Sequence, residues 1–437
     1  MKTLFSEERL AAPVLFLAIT AALALAGLAI HALADQRPEE GEDVMRQTTI
    51  ITATDVHYLA PSLTDHGPLF ETTIANADGK VMEYIEELTD AFLEEVISKA
   101  PDALILSGDL AFNGERESHE ALASKLGAVK DAGIPVLVIP GNHDLYRANA
   151  ARFIGDGFVR VPSVTAEEFA VIYARCGYDD ALSRDDASLS YICALSPRLR
   201  VLMLDVNTEE EPGRVKEETL AWAEEQLAMA RAAGARGIAV SHQNLYRHNS
   251  LIYENYVIGN SGALLALYER YGGTVNLSGH LHCQHIAGIG ESVCDIATGS
   301  LAVSPDHYGI LSLGSGGISY EAVPVDVSGW AARHGSEEAD LLDFAAYARG
   351  FFEDSGRTQT ESMPEEAREF FVRLNTAYFS GRMDLIDPDD PGFDLWTTGD
   401  GFHGLYVQSM RLDAGLDSTR LTLGEGPSDL HPAREDG

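Results

Sequence analysis

The chain has 437 residues, a length that suggests one large domain with an appendage or two domains, and its 45% hydrophobic residues are enough for a large core. Its 68 acidic and 31 basic residues give a formal net charge of −37. That charge repels polyanions, so a protein that grips a DNA or RNA backbone is disfavoured and we expect no nucleic-acid polymer as a partner.

An apolar segment near the N-terminus is typical of export. Residues 14–30 carry no charge, Ala32-Leu33-Ala34 fits a cleavage site of the A-x-A type, and acidic residues follow. Residues 1–34 are predicted to be a signal peptide or an N-terminal membrane anchor, and 35–46 an acidic linker. A buried core helix is the less favoured alternative. The expected location is outside the cytoplasmic membrane, secreted or anchored to its outer face.

Strand and helix patterns alternate from residue 48 onward. Helices are predicted at 80–99, 117–133, 216–233 and 262–272, from apolar residues three and four apart. Strands are predicted at 48–54, 102–107, 135–140, 200–205, 237–242 and 274–280, then at about 282–287, 293–298, 307–313 and 318–325. Residues 58–79 are predicted to be a loop. The pattern predicts an α/β fold whose later part is antiparallel.

The composition changes near residue 330. Helices are predicted at 337–356 and 364–381, and a strand is possible at 404–413. We therefore expect a catalytic domain at 47–325, a small, mainly helical C-terminal unit at 326–423 and a disordered tail at 424–437. The aromatic residues of these helices are expected to pack in a core rather than to form a binding surface.

The four cysteines leave two possibilities open. In an exported protein Cys176 and Cys193, and Cys283 and Cys294, could form two disulfides, whereas buried free thiols are an equal alternative. For Cys283, which follows His282, packing or a disulfide is expected rather than metal binding.

Side chains able to bind metals follow five of the predicted strands. They are Asp55 and His57, Asp109, Asn142 and His143, His242, and His280 and His282. In α/β sheets ligands bind outside the carboxyl ends of the strands, so these residues should converge in space. Glycines at 108, 141 and 279 precede three of the candidates, where a turn lets the backbone come close.

The donor set indicates a particular chemistry. Nitrogen and oxygen donors together suit Zn, Mn or Fe. Asp55 and His57, like His280 and His282, are two residues apart and on extended backbone would point the same way. Asp109 is the obvious bridge between two metals, which at about 3.5–4 Å apart would clamp a phosphoryl group and activate a hydroxide for attack.

These motifs resemble, in order, the five motifs of the calcineurin-like metallophosphoesterase family, over residues 48–325. The resemblance implies a two-sheet β-sandwich flanked by helices, with a dinuclear site at one edge. It assigns Asp55, His57, Asp109 and His282 to one metal, and Asp109, Asn142, His242 and His280 to the other. It makes His143 a catalytic residue that stabilises charge or protonates the leaving oxygen, with Asp144 orienting it.

Within that family, the segments SGDLAFNGERESH and IPVLVIPGNHD are similar to the bacterial branch of cyclic-nucleotide and glycerophosphodiester phosphodiesterases. Asn113, Tyr146 and Arg147 follow motif residues closely and are candidates for substrate contact, with a loop or helix-cap role as the alternative. The histidines with a structural or exposed role are expected to be His66, His119, His248, His285 and His307.

The predicted function is hydrolysis of small phosphodiesters by an exported enzyme with two divalent transition metal ions (Mn, Fe or Zn). The partners expected are a small phosphate-ester substrate and, if the N-terminal segment is uncleaved, the membrane. The main alternative is a phosphomonoesterase or nucleotidase, and a nuclease is third. A cell-surface binding protein with structural metals is the alternative from a different class.

Overall fold

The computed structural model describes residues 47–424 apart from 77, 398 and 400. The predicted signal peptide or anchor at 1–34, nearly all of the linker 35–46 and the predicted tail beyond 424 lie outside the described residues. In the part of the chain that the structure describes, no helix is both long and apolar enough to cross a membrane.

Two mixed sheets and one hairpin contain all fifteen strands of the described residues. The strands are β1 (Thr48–Ala53), β2 (Ala103–Leu106), β3 (Val136–Val138), β4 (Ala151–Ile154), β5 (Gly157–Arg160), β6 (Ser183–Arg184), β7 (Tyr191–Ser196), β8 (Leu199–Leu204), β9 (Arg236–Ser241), β10 (Val275–Ser278), β11 (His285–Ala287), β12 (Cys294–Ala297), β13 (His307–Gly314), β14 (Gly317–Pro324) and β15 (Arg420–Leu423).

Helices connect the strands and form most of the C-terminal region. They are α1 (Pro68–Ala75), α2 (Ile85–Lys99), α3 (Arg116–Asp131), α4 (Ala166–Ile172), α5 (Glu217–Ala232), α6 (Ser261–Tyr271), α7 (Val327–Arg333), α8 (Ala339–Leu342), α9 (Phe344–Gln359), α10 (Glu365–Phe379) and α11 (Gly401–Met410). Short helical turns lie at Pro61–Leu63, Met82–Tyr84, Ala174–Tyr178, Met383–Leu385, Pro391–Leu395 and Arg411–Asp413.

The parallel strands of each sheet lie next to one another in the strand order. Sheet one has the order β15-β14-β13-β1-β2-β3, with β1, β2 and β3 parallel and β13 to β15 antiparallel. Sheet two has the order β11-β12-β10-β9-β8-β7-β6, with β8, β9, β10 and β12 parallel. The carboxyl ends of the parallel strands therefore lie at one edge of each sheet.

Side chains cross from one sheet to the other. The Tyr191 hydroxyl on β7 donates to the Val138 carbonyl of β3 at 2.8 Å and accepts from its N–H at 3.0 Å. Tyr320 on β14 shares a hydrogen bond of 3.1 Å with Thr298, which follows β12. The two sheets thus face each other, which confirms the two-sheet sandwich expected from the sequence.

Helices cover the outer faces because their apolar residues recur every three to four positions. On α5, Ala223, Leu227 and Ala230 are buried, and Leu227 joins a cluster with Leu202 of β8 and Leu264 of α6. Burying a leucine of this kind contributes about 1.5–3 kcal/mol. On the other sheet the ring of Phe92 on α2 packs against Tyr308 of β13, with centroids 5.4 Å apart.

The C-terminal helices share a core with the region that contains the two sheets. Phe370, Phe371 and Leu374 of α10 pack in one cluster with Cys283 and Met410. The predicted strand at 404–413 is wrong, because residues 401–410 form α11. Its buried residues include Tyr406, Val407 and Met410, whose three- and four-residue steps fit a helix rather than an alternating strand.

Other local predictions also need correction. The predicted loop at 58–79 contains α1, which begins with proline at its first position, where the missing N–H costs nothing. The hairpin β4–β5 was missed although Gly155-Asp156-Gly157 signals a turn, and so were β6, β7 and the edge strand β15. All four cysteines are buried free thiols, so the disulfide alternative is wrong.

Candidate metal centre

The predicted metal-binding residues lie where parallel strands end. Asp55 and His57 follow β1, Asp109 follows β2 and Asn142 follows β3, all in sheet one. In sheet two, His242 directly follows β9, whereas His280 and His282 follow β10. The two sheets of the sandwich therefore contribute opposite sides of one site.

The backbone at these positions is left-handed. The φ angles are 50° at Asp55, 47° at His57, 50° at Asp109, 69° at His280 and 60° at His282. The prediction that Asp55 and His57, like His280 and His282, lie on extended backbone is therefore wrong. Non-glycine residues rarely adopt such angles, and they concentrate at functional sites because the surrounding structure must hold the strain.

One group consists of Asp55, His57, Asp109 and His282, whose candidate ligand atoms all lie within 4.8 Å of one another. His57 Nε2 is 3.2 Å from His282 Nε2, and these two nitrogens lie 3.9 and 3.3 Å from Asp55 Oδ1. This is the same group of four that the resemblance assigns to one metal.

Asp55 shows that the donors of this group fit a cation. Its Oδ2 accepts hydrogen bonds from Thr54 Oγ1 at 2.7 Å and from the His280 N–H at 2.9 Å. Its Oδ1 is buried and has no hydrogen-bond partner among the described residues, and the same holds for His57 Nδ1. A buried carboxylate oxygen without a donor is costly, and a bound metal ion would satisfy it.

The second group is Asp109, His242 and His280, again within 4.8 Å. His242 Nδ1 lies 2.9 Å from the Ser107 carbonyl, to which it donates, so in the neutral ring, the form that binds a metal, Nε2 carries the lone pair. That Nε2 lies 3.3 Å from Asp109 Oδ2 and 3.0 Å from Asn142 Oδ1. His280 is held in a similar way, with its Nε2 3.2 Å from the Asn255 carbonyl. The predicted Asn142 therefore lies with this group.

Asp109 belongs to both groups through one oxygen. Its Oδ1 accepts from the His143 N–H at 2.7 Å, whereas its Oδ2 lies 3.3 Å from His242 Nε2 and 3.9 Å from His57 Nε2. Gly141 packs so close to this carboxylate that a Cβ would collide with Asp109 Oδ1. The shared oxygen occupies the position that a bridging ligand requires.

Burial and charge act in opposite directions on the ionisable groups. Burial would raise the pKa of Asp55 and of Asp109, but the neighbouring imidazoles outweigh it and hold both well below the ordinary value. Burial would lower the pKa of His242, but the charge of Asp109 and its hydrogen bond raise it to about 9. Burial lowers the pKa of His280 to about 4.

His143 lies beside the first group without joining it. Its ring is 5.1 Å from the ring of His57 in an edge-to-face arrangement. Its Nδ1 lies 3.0 Å from the Phe112 carbonyl, to which it donates, so Nε2 is the nitrogen available to a substrate. Burial lowers the pKa of His143.

We predicted that Asp144 orients the His143 ring, but the Phe112 carbonyl holds that ring instead. The buried Asp144 carboxylate accepts instead from the backbone N–H groups of Leu110, Ala111 and Gly141, at 2.7–3.2 Å. Burial, and after it the charge of Asp109, raises the pKa of Asp144 to about 7, although the hydrogen bonds from these N–H groups act to lower it. Its role here is to tie the turn after β2 to the turn after β3.

The three residues predicted to contact substrate make protein contacts in the structure. Asn113 accepts from Asn149 Nδ2 at 2.7 Å, and the Tyr146 hydroxyl accepts from the Ala166 N–H at the start of α4 at 3.1 Å. Arg147 Nη1 donates to the Asn142 carbonyl at 3.1 Å. Arg147 is therefore placed to position Asn142, and the structure gives Asn113 and Tyr146 loop and helix-start contacts.

A cavity of about 220 Å³ adjoins the two groups, with His280 and His282 in its wall. The opposite wall comes from α9, α10 and α11, including Phe352, Asn375 and Phe402. Sequence reasoning assigned these helices to core packing and missed this wall, because no local pattern indicates which distant loop a helix will face. Asn113, Tyr146 and Arg147 are not among the described residues that line the cavity.

Lys80 is a second residue that sequence reasoning missed. It is buried, and its Nζ lies 3.9 Å from Asp78, another residue of the cavity wall. Burial lowers the pKa of Lys80, whereas the charges of Asp78, Asp55 and Asp109 raise it in part. Only two Lys or Arg residues lie between Asp55 and Asp109 in the sequence, and Lys80 is one of them. This scarcity of positive charge was the feature of the sequence that could have drawn attention to Lys80.

Comparison with known proteins gives two family matches. The family model described as calcineurin-like phosphoesterase matches residues 48–284. A second, described as the C-terminal domain of cyclic nucleotide phosphodiesterase, matches residues 326–417. The first spans the strands that carry every candidate metal ligand, and the second spans α7 to α11.

Two curated relatives are similar over part of their length. A probable cyclic nucleotide phosphodiesterase from Fibrobacter succinogenes is 49% identical over 43 residues, which are 10% of this chain and 16% of that protein. The glycerophosphodiester phosphodiesterase GpdQ from Enterobacter lignolyticus is 28% identical over 189 residues, 43% of this chain and 58% of that protein. The alignments thus span less than two thirds of either relative.

Solved structures to which the chain is similar include a dimetal phosphatase from Danio rerio, at 13% identity and a TM-score of 0.46, covering 63% of this chain and 95% of that one. A purple acid phosphatase from yellow lupin has 13% identity and a TM-score of 0.39, covering 64% and 52%. At such identities nothing about substrate follows.

Proposed function

The chain belongs to the calcineurin-like phosphoesterase family and is a metal-dependent phosphoric ester hydrolase, and from this premise we propose that it hydrolyses small phosphodiesters with two divalent transition metal ions. The observation that carries the proposal is the pair of ligand groups joined at Asp109 Oδ2. Mn, Fe and Zn are the metals that such a nitrogen and oxygen donor set suits.

We assign one metal to Asp55, His57, Asp109 and His282, and the other to Asp109, Asn142, His242 and His280. Support comes from the unpartnered Asp55 Oδ1 and from the carbonyl groups that fix the ring nitrogens of His242 and His280. When bound, two such ions polarise the phosphoryl oxygens and activate the attacking water.

The chain's own residues supply orientation and a proton. The Phe112 carbonyl accepts from His143 Nδ1, so in the protonated ring Nε2 would donate to the developing charge or to the leaving oxygen. Arg147 and Asp144 hold the turn that carries Asn142 and His143. His143→Ala should lower kcat by about 10²–10⁴ and leave the metal content unchanged. Loss of metal together with activity would make His143 a ligand instead.

Diesters are favoured over monoesters for two reasons. Both curated relatives carry phosphodiesterase names, although over partial alignments. A monoester dianion is also repelled more strongly by a chain of net charge −37. A phosphomonoesterase or nucleotidase is the second candidate, because two metals can also bind a monoester.

The test is the ratio of kcat/KM for bis(p-nitrophenyl) phosphate and p-nitrophenyl phosphate, at neutral pH with added Mn. We expect the diester to be turned over at least as efficiently as the monoester. A strong preference for the monoester would replace the diesterase proposal with a phosphatase or nucleotidase. Turnover of neither ester would favour a binding protein with structural metals.

We also propose that the protein is exported, on the strength of the uncharged run 14–30 and Ala32-Leu33-Ala34. The catalytic region should then be accessible to external protease after wall removal. A mature N-terminus at Asp35 would indicate a cleaved signal peptide, and retention of the first residues would indicate an anchor. Full protection from protease would contradict export.

A further inference from the structure

A hairpin on the surface leaves one strand edge unpaired. Strands β4 and β5 form a two-stranded sheet of their own, so the outer edge of β5 has no neighbouring strand among the described residues. Every residue of β5 (Gly157–Arg160) is exposed, including Phe158 at 52% and Val159 at 56%. An exposed edge that carries apolar side chains is a template for pairing with another strand.

The register of the hairpin shows which backbone groups of β5 point outwards. The Val161 N–H donates to the Ala150 carbonyl at 3.2 Å, in line with the antiparallel register of β4 and β5. Pairs that exchange hydrogen bonds alternate along an antiparallel ladder, so every second residue counted back from Val161 faces β4. The alternate residues, Phe158 and Arg160, therefore direct their N–H and C=O groups away from the hairpin, where another strand can bind them.

The charges around the hairpin let two copies of this acidic chain approach each other. The formal net charge of the chain is −37, yet residues 145–166 contain three arginines and one acidic residue, Asp156. Asp156 and Arg160 are exposed, and neither side chain has a hydrogen bond or an ion pair within the described part of the chain. The Arg160 guanidinium lies 4.6 Å from the centre of the Phe158 ring, which places it on the same face of β5. Both charges are thus open to a partner of opposite sign.

The sequence of β5 is complementary to itself in one antiparallel register. A two-fold axis at Phe158 places Asp156 of each copy opposite Arg160 of the other, which gives two pairs of opposite charge. An axis at Arg160 would place two arginines opposite each other. An axis at Val159 would place Asp156 opposite Pro162, which has no N–H to donate. Charge and hydrogen bonding therefore both select the axis at Phe158.

We propose that β5 pairs with β5 of a second copy, antiparallel about a two-fold axis at Phe158, so that the protein is a symmetric dimer with one sheet continuing across the interface. The N–H and C=O groups of Phe158 bind their counterparts, and the two phenyl rings lie side by side on one face. A second copy fits better than an anionic membrane surface, because each hairpin supplies an acid as well as a base. This dimer goes beyond the proposed phosphodiesterase activity and does not depend on it.

Sedimentation equilibrium of the full chain tests the dimer, in about 0.15 M salt to screen the repulsion between the two net charges. Arg160→Asp should weaken dimerisation about 10- to 100-fold, because it places like charges opposite each other in both pairs, and Asp156→Arg should do the same. The double variant of Asp156→Arg with Arg160→Asp should dimerise within about threefold of the wild type. Since these two residues form no ion pair within one copy, such a rescue requires two copies.

The matched control is Arg152→Asp on β4, which changes the net charge by the same amount and should leave dimerisation nearly unchanged. A wild type that stays monomeric would overturn the proposal. Charge reversals without effect, or a double variant that does not recover, would overturn it as well. A monomeric chain that sediments with vesicles of anionic lipid would replace the second copy by a membrane surface.

A cysteine introduced on β5 tests the register itself. All four native cysteines are buried, so the introduced thiol is the exposed one. In Phe158→Cys the two thiols would lie opposite each other, with Cα atoms about 5.5 Å apart, within the range of a disulfide. Mild oxidation should therefore link two copies of Phe158→Cys. Leu182→Cys, at a position that is 61% exposed and outside the hairpin, should stay unlinked, and equal linking of the two variants would contradict the register.

Discussion

Asp109 is the residue on which the proposed two-metal arrangement depends most directly. Its Oδ2 is the carboxylate oxygen that lies near imidazoles of both groups, whereas Asp55 belongs to one group only. Asp109→Asn should therefore lower the metal content measured by elemental analysis from about two equivalents to below one. Asp55→Asn should remove about one equivalent.

The control for these two variants is Asp180→Asn, because Asp180 is an exposed carboxylate paired with Lys130. It should retain the wild-type metal content. Full occupancy of both sites in Asp109→Asn would exclude Asp109 as the bridge, whatever the activity of that variant.

His119 should make the stability of the fold depend on pH. It is fully buried between Tyr173 and the Asp144 carbonyl, and burial lowers its pKa from 6.5 to about 4. Because the folded pKa is the lower one, the unfolded chain binds the proton first as pH falls. The contribution of His119 is therefore complete above pH 6.5 and is lost between 6.5 and 4, by about 3 kcal/mol in total.

The check is urea unfolding of the wild type and of His119→Gln at several pH values. Glutamine can keep a donor and an acceptor but does not titrate, so the stability of the variant should fall less steeply between pH 6.5 and 4. Parallel pH profiles of the two proteins would show that His119 is not responsible.

Among the elements of the fold, the turns that follow the strands determine the geometry of the candidate site more directly than the strands do. The turn after β10 passes so close to the turn after β1 that a Cβ on Gly279 would collide with Thr54 Oγ1 and crowd Asp55 Oδ2. Gly279→Ala should therefore destabilise the protein by about 1–3 kcal/mol and reduce its metal content, because one of the two turns must move. Thermal unfolding and elemental analysis measure the two effects.

Gly262→Ala is the matched control, since Gly262 lies in the first turn of α6 and a Cβ there would meet no atom within 4 Å. Alanine should be neutral or slightly stabilising at that position. Equal stability and metal content of Gly279→Ala and Gly262→Ala would mean that the turns after β1 and β10 are farther apart than in the structure.

At the scale of the whole molecule, the C-terminal helices are packed into the catalytic region. Strand β15 completes sheet one beside β14, and Phe371 and Trp396 share a buried cluster with Cys283. A chain ending at residue 325 would expose this cluster, in which each large side chain contributes about 1.5–3 kcal/mol. That loss is comparable with the whole stability of a typical protein.

We therefore expect a chain truncated after residue 325 to be insoluble or to lose its cooperative unfolding transition in urea. A chain truncated after residue 424 keeps every described helix and strand and serves as the control, for which we expect a cooperative transition. Cooperative unfolding of the shorter chain with full metal content would show that residues 47–325 fold by themselves.

From the sequence alone, the strands that end at the candidate site, the long helices of the α/β region and the donor types of the site could be predicted. Helices such as α2 and α5 were predicted because their apolar residues recur at helical spacing, which is a local property of the chain. The candidate ligands were found because each follows an apolar strand, and parallel strands end at a common edge. The order of the motifs indicated the family, which the match over residues 48–284 confirms.

The tertiary structure decided what depends on residues far apart in the chain. His280 and Asp55 are separated by 225 positions, so only the packing of the two sheets shows that the His280 N–H holds the Asp55 carboxylate. The left-handed backbone of the ligand residues, the contact of His143 with Phe112 and the cavity wall at Phe402 were likewise beyond prediction from local pattern. Each depends on which distant surface a turn or helix meets, and that choice is made by the energy of the whole packed core rather than by neighbours in sequence.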